Sequence, residues 1–385
     1  MDDITLKGHQ LQKQTLFKSD RKRVYRIPSL FYDSDKKIFM AFAEQRSTVH
    51  DSSTKHLVLK TGTLKEESPG VRTIEWSELK VVEEAHLDGH RTMNPCPVYE
   101  KTSRTLFLFF ICVKGVISEC WQRFWGCNKA RPCYITTKDG GQTWSGVTDL
   151  SHLPDIKRWA TFAVGPGHGL QTESGRLIIP TYAYASCSTS YCCISCKCSV
   201  PHALTLYRDN EGSSWHFSKL LETESLECEM AEVSDDEGHN YIYCNARSKG
   251  GYRVEAIDRG AGFETLPAGK LVETGGGCQG SVVSFPAPSE GAMADSSQNK
   301  WLLYTHPSDL SNRINLGVYL NKSPQDPNAW SKPWIINSGP SGYSDLAYIE
   351  DGWFACLMEC GAQKETEQIA CEVFHYSQVE KGIAE

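Results

Sequence analysis

The sequence predicts an all-β chain, a ring of six small antiparallel sheets of four strands each, on three observations. One turn motif recurs along its length, the segments between copies read as strands, and no sustained heptad or long amphipathic helix competes with them. The fullest copy of the turn is Thr137-Lys138-Asp139-Gly140-Gly141-Gln142-Thr143-Trp144-Ser145. Weaker copies run from Arg208 to Trp215 and from Ala256 to Phe263; Trp76-Ser77 and Trp330-Ser331 are worn relatives. The four intervals between Trp76 and Trp330 average 63.5 residues, and 385 residues at that spacing make about six units. Six such units, each a small sheet, make a β-propeller.

Turn chemistry accounts for the motif. An aspartate at the start of a hairpin accepts hydrogen bonds from backbone N–H groups further along. Glycine allows positive φ, and the aromatic residue folds under the turn as an apolar plug. The second copy has Asn210 for the aspartate and Arg208 at its start, and the third ends in Phe263, changes that bear on hairpin stability. Between copies, Ile38 to Ala43, Thr105 to Val113, Arg176 to Ile179, Tyr241 to Cys244 and Trp301 to Tyr304 are rich in β-branched and aromatic residues, with Gly, Pro or Asp at their borders. The Gly/Ser/Ala-rich stretch from Pro286 to Asn299 reads as an exposed loop, since strand-like sequence resumes at Trp301. One domain is expected over 1–385, with its core over about 15–375.

Lys and Arg number 40 against 47 Asp and Glu, a net charge of −7, and no long basic run exists. A nucleic-acid partner is therefore not expected, and an anionic ligand would have to be held by local cations. The longest apolar run, Leu106 to Val113, is eight residues, against the roughly 20 of a membrane-spanning helix. Met1 is followed by Asp2 and Asp3 rather than the cationic and apolar start of a secretory signal. The expectation is an intracellular protein, cytoplasmic or peripheral on the plasma membrane or an endomembrane, with most of its 16 cysteines as thiols. Cys187, Cys192, Cys193, Cys196 and Cys198 crowd one segment. They fit variable-loop thiols, an S-acylation site, or, with His202, a poorly spaced zinc site.

A propeller assembles its site from residues scattered along the chain, so polar residues in strand-like surroundings are the candidates. Arg26 sits in Val24-Tyr25-Arg26-Ile27-Pro28, Arg247 follows Tyr241 to Ala246, and Arg313 lies in Ser311-Asn312-Arg313-Ile314. Three converging guanidiniums would bind a carboxylate bidentately. Glu44, Asp51, Glu227 and Glu359 likewise flank apolar stretches.

The Tyr25-Arg26-Ile27-Pro28 element followed by aspartate-box turns resembles the sialidases. Phe42 to Arg46, His90 to Pro97, Trp159 to Gly169, Gly277 to Ser281 and Gly342 to Leu346 are similar to the vertebrate, signal-less branch of that family. Phe110 to Val113, Trp330 to Ile335 and Glu359-Cys360-Gly361 resemble its ganglioside-preferring, membrane-associated members. The resemblance implies an exo-α-sialidase acting on sialylated glycolipids and glycans, with no cofactor or metal. It implies that Arg26, Arg247 and Arg313 clamp the sialic acid carboxylate and that Glu359 orients Arg26. It assigns Asp51 as general acid/base, Tyr343 as nucleophile and Glu227 as the base for Tyr343. Ile27, Arg46, Met93, Asn94, Glu119, Tyr182, Tyr184 and Gln279 fall to the substrate pocket by the same matching, and Glu44 to its support. Tyr182 and Tyr184, at i and i+2, have the alternative reading of plain strand residues sharing one face. The alternative function, a sialic-acid-binding propeller without catalysis, expects the loss of Asp51 or Tyr343, and both are present.

Overall fold

The computed structural model describes residues 12–68, 71–185, 200–210, 212–235, 237–288 and 300–385. The cysteine-rich segment Cys187 to Cys198, Asp2, Asp3 and most of the stretch from Pro286 to Asn299 lie outside them.

The apolar runs fold as Ile38–Arg46, Thr105–Lys114, Leu177–Ala185, Asn240–Ala246 and Lys300–Pro307. Each is the second strand of its sheet, flanked by a partner on either edge. Their near-continuous hydrophobicity follows from burial of both sheet faces against neighbouring sheets. Met40, Phe42, Leu59, Leu108, Phe110 and Ile135 fill the space between the first and second sheets. Phe107, Phe109, Tyr134 and Trp215 do so between the second and third, where the Trp215 ring meets Phe109 edge-on at 4.9 Å.

All strand pairs among the described residues are antiparallel, and the sheets succeed one another in a propeller-like ring. The N-terminal strand Gln14–Lys18 closes it by pairing with Gln368–His375 from the far end of the chain. The expected division into six separate four-stranded sheets does not hold. Among the described residues, four sheets of four or five strands stand alone, one has seven strands, and a two-stranded ribbon joins Gly251–Tyr252 to Val272–Glu273. The cause is the 15-residue strand Trp334–Tyr348. Its first half pairs with Ile314–Asn321 and its second with Trp353–Cys360, which fuses what would be two sheets.

The repeated turns behave as their chemistry dictates. The Asp139 carboxylate accepts the N–H groups of Gln142 and Thr143, both at 3.0 Å, and the Thr143 hydroxyl at 2.5 Å. Those donors, the Thr143 hydroxyl foremost, hold its pKa down to about 2. Asp258 takes the N–H groups of Gly260 and Gly262 in the same way. In the copy that lacks the aspartate, Trp215 is buried and the Arg208 guanidinium lies 5.0 Å from its ring.

The strands nearest the axis are Val24–Asp33, His90–Glu100, Trp159–Val164, Cys228–Ser234, Ser281–Pro286 and the second half of Trp334–Tyr348. Side chains tie them together across the ring: Ser29 Oγ donates to Gly167 O at 2.8 Å, Asp345 Oδ2 accepts from Leu30 N at 2.7 Å, and Asn94 Nδ2 donates to Val164 O at 3.1 Å.

Candidate active site

Three axis-facing strands break register at one end of the ring. The shifts fall between Arg26 and Ser29, between Met93 and Cys96, and between Ser341 and Ser344. A β-bulge frees backbone groups and re-aims side chains. Ile27 and Asn94 sit at φ +60° and +58°, a conformation costly for any residue with a Cβ and most of all for a β-branched one. Buried glutamates take up the freed N–H groups. Glu359 Oε1 accepts from Ile27 N at 2.9 Å and its Oε2 from Tyr343 N at 3.2 Å; Glu44 Oε1 accepts from Asn94 N at 2.8 Å. The same two carboxylates bind arginines, Glu359 with Arg26 Nε at 2.6 Å and Glu44 with Arg46 Nε at 2.7 Å. Two glutamates thus serve the three bulges, and each fixes both freed backbone and a cation.

Between these strands opens a cavity of about 290 Å³ whose wall includes Arg26, Ile27, Arg46, Asp51, Met93, Asn94, Glu119, Tyr182, Glu227, Arg313 and Tyr343. At its floor the Tyr343 hydroxyl donates to Glu227 Oε1 at 2.5 Å. Arg247 Nη1 reaches the Tyr343 oxygen at 3.0 Å and Glu227 Oε2 at 2.9 Å. The guanidiniums of Arg26 and Arg313 lie 5.6 and 5.3 Å from the centre of the Tyr343 ring. All three arginines therefore converge on one phenol. Burial and the Glu227 carboxylate raise the Tyr343 pKa, and Arg247 and Arg313 only partly oppose them, so the resting phenol is neutral.

Asp51 opens the short 3-10 turn Asp51–Ser53 on the cavity wall, half-buried. Glu119 begins the helix Glu119–Trp125 and accepts a hydrogen bond from the Tyr182 hydroxyl at 3.3 Å; burial raises the Glu119 pKa. Tyr184 shares a face with Tyr182, their rings 6.1 Å apart, but stands one layer back from the cavity under the guanidinium of Arg123, 4.3 Å away.

Gln279 is the clear departure from expectation. It does not line the cavity: its side chain is 1% exposed, and its polar atoms bind the Ser344 backbone, Glu229 and Pro166 O. A buried amide that holds backbone and one that holds a sugar carry the same local sequence.

Arg91 and Gln122 also line the cavity, beyond the residues expected there. Arg91 donates to Gly115 O at 2.8 Å and to Ile117 O at 2.6 Å, fixing the turn that leads into the helix. Its signal was available, a lone arginine in a strand-like stretch, as at Arg26.

Residues 66–356 match the family profile described as a BNR repeat-like domain. Sialidase-3 of Bos taurus is 43% identical, the match covering 93% of this chain and 91% of the relative. Sialidase-2 of Cricetulus griseus is 41% identical over 92% and 93%, and Sialidase-4 of Mus musculus 36% over 97% and 94%. Among solved structures, the Hadza microbial sialidase Hz136 superimposes with a TM-score of 0.72 at 17% identity, over 92% of this chain and 66% of that longer one. The Trypanosoma rangeli sialidase in complex with 2,3-difluorosialic acid, a covalent intermediate, gives 0.66 at 16% identity, over 98% of this chain and 60% of that one. At those identities the solved structures establish the shared fold, and the curated relatives establish more: this chain belongs to the sialidase family of glycoside hydrolases.

Proposed function

We propose that the protein is an exo-α-sialidase that removes terminal sialic acid with retention, through a covalent intermediate on Tyr343. The observation that carries the reading is the Tyr343 hydroxyl, 2.5 Å from Glu227 beneath three converging guanidiniums. The anomeric carbon of sialic acid bears a carboxylate. An anionic nucleophile approaching it would meet repulsion on the order of several kcal/mol in a low-dielectric pocket. A neutral phenol avoids this, and sialidases are the tyrosine exception to the paired-carboxylate rule of glycosidases.

Arg26, Arg247 and Arg313 would hold the carboxylate. The phenol oxygen attacks the anomeric carbon as its proton passes to Glu227, and Asp51 protonates the departing glycosidic oxygen. Asp51 then takes a proton from the water that attacks the same carbon, and the released phenolate recovers its proton from Glu227. Arg46, Met93, Asn94, Glu119 and Tyr182 would face the rest of the sugar. Release of fluorophore from a fluorogenic sialoside, compared with a Tyr343→Phe control, tests the reading; equal rates would overturn it.

Two variants separate the roles. Arg313→Ala should raise KM roughly 10- to 100-fold, as expected for one charge-assisted contact, with a smaller change in kcat. Asp51→Ala should lower kcat roughly 10²- to 10⁴-fold on sialyllactose but far less on an aryl sialoside, whose leaving group needs little protonation. Equal losses on both substrates would remove Asp51 from the acid role.

The substrates proposed include sialylated glycolipids. The helix at the pocket rim turns Glu119 and Gln122 inward and exposes Trp121, Phe124 and Trp125, a surface suited to an apolar aglycone. An intracellular location at the membrane that carries such lipids fits this preference. Faster release from ganglioside micelles than from soluble sialyllactose is the expected result.

A further inference from the structure

Two residues along the axis from the reacting pair lies a second tier of buried acids. Glu229, on the strand Cys228–Ser234, stands two residues after Glu227, and Asp345 two after Tyr343 on Trp334–Tyr348. Neither is exposed, and the proposed chemistry uses neither.

Their hydrogen bonds require a proton. Ser281 Oγ lies 2.8 Å from Glu229 Oε2 and 2.9 Å from Asp345 Oδ1, and it also accepts the Leu346 N–H at 3.0 Å. A hydroxyl has one hydrogen to give, so one of the two carboxyl contacts must be a donation from the acid. Glu229 accepts only the longer contacts of Val282 N and Gln279 Nε2, both at 3.1 Å, whereas Asp345 accepts from Leu30 N at 2.7 Å and has His168 Nδ1 2.7 Å from its other oxygen, which makes Asp345 the better anion. Glu229 then holds the proton. Burial, and Asp345 beside it, push its carboxyl well above the ordinary range, in agreement. The other ionisable groups facing it are His168 and Cys96; Gln279, Ser281 and the Val282 N–H are its uncharged hydrogen-bond partners.

The tier reaches the nucleophile through one side chain. Glu229 Oε1 accepts from Gln279 Nε2 at 3.1 Å. That amide in turn donates to Ser344 O at 3.0 Å and accepts from Ser344 N at 3.1 Å, next to Tyr343 and at the bulge where the strand has left its partner. Gly167 leaves room for this arrangement: at φ +125° a Cβ there would fall 1.5 Å from Glu229 Oε1.

We propose that Glu229, held neutral against Asp345, is a positioning residue for Tyr343: through Gln279 it fixes the backbone that presents the phenol to the substrate. The proposal rests on the sialidase reading above. It predicts that a neutral amide serves better than loss of the contact. Glu229→Gln, whose amide can donate to Ser281 Oγ but cannot also accept the Val282 N–H, should lose clearly less kcat than Glu229→Ala; Glu229→Ala and Gln279→Ala should each lose about tenfold or more with KM little changed, since small misplacements of a reacting group are costly. The double variant should be no worse than the worse single one, as for residues acting in series.

Protonation has its own readout, independent of substrate. A carboxyl whose pKa is raised by folding favours the native state fully below its unfolded value, roughly 4.3, and progressively less as pH rises toward its folded value. The Tm of Glu229→Gln minus that of the wild type should therefore grow from about pH 5 to about pH 8. A flat difference, a Gln variant as impaired as the Ala variant, or a Gln279→Ala enzyme with wild-type kcat would each overturn the proposal. Absence of sialic acid release by the wild type would instead strike the sialidase reading, and the Tm comparison would still decide whether Glu229 is neutral.

Discussion

Tyr343→Phe is expected to lower turnover of any sialoside by roughly 10³-fold or more, the scale of losing a covalent nucleophile, while sialic-acid binding survives. The substitution removes the single atom that would bond to the anomeric carbon and leaves the ring in place. That ring carries the remaining contacts: the Arg26 and Arg313 guanidiniums lie 5.6 and 5.3 Å from its centre, and cation–π attraction does not need the hydroxyl. The cost to the fold is one hydrogen bond to a buried carboxylate, on the order of 1–3 kcal/mol, softened because Glu227 keeps Arg247 Nη1 at 2.9 Å. A folded variant whose melting temperature still rises with a sialic acid analogue, but which releases nothing, is the expected phenotype. Turnover within about tenfold of wild type would remove the tyrosine from the reaction.

How much of this was legible in the sequence depended on whether the relevant chemistry is local. The aspartate-box turn at Asp139 is satisfied within four residues, so its sequence states its structure. The second strands of the sheets announced themselves because both of their faces are buried. The division into sheets was not legible, because Trp334–Tyr348 changes partners near its middle and no local signal marks the change. Site residues followed the same rule. Nothing near Arg26 names Glu359 as its partner, 333 positions away, so the arginines were suggestive by composition and assigned roles only through resemblance. Gln279 is matched to the sugar by resemblance alone, because the direction of a side chain in the loop before Ser281–Pro286 cannot be read from its neighbours. Glu229 and Asp345 carry no signal of their tier, because a buried acid and a solvated one share one letter.

The largest effect on stability is expected away from the cavity, at the ion pair between Arg253 and Glu273, both side chains 0% exposed and 2.6 Å apart. Glu273 sits in the ribbon beside the loop Thr274 to Cys278, and its Oε1 accepts the N–H groups of Thr274 and Cys278. Arg253 Nη1 donates to Cys278 O at the far end of that loop. The loop carbonyls Gly276 O and Gly277 O receive Arg247 Nη2 at 2.9 Å and Arg313 Nη2 at 2.8 Å. Gly277 is needed there, at φ +79°, because a Cβ would meet Ser248 O at 2.3 Å. Two of the three cradle arginines are thus aimed by a loop that a buried ion pair holds. Arg253→Met should cost about 3–5 kcal/mol, because it strands the Glu273 charge away from water, and it should raise KM as Arg247 and Arg313 lose their bearing. Burial alone would raise the Glu273 pKa, but Arg253 and His306 outweigh it and hold the carboxyl well below the usual range. The stability this contributes is present above the unfolded value of roughly 4.3 and is lost as pH falls through the folded value. In the variant the stranded carboxyl gains by taking up a proton, so the gap in unfolding free energy between wild type and Arg253→Met should narrow as pH drops below about 4. Denaturant titrations at neutral and acid pH measure it. A gap under about 1 kcal/mol at neutral pH, the scale of a surface pair, would mean that something other than this ion pair steadies the arginine cradle.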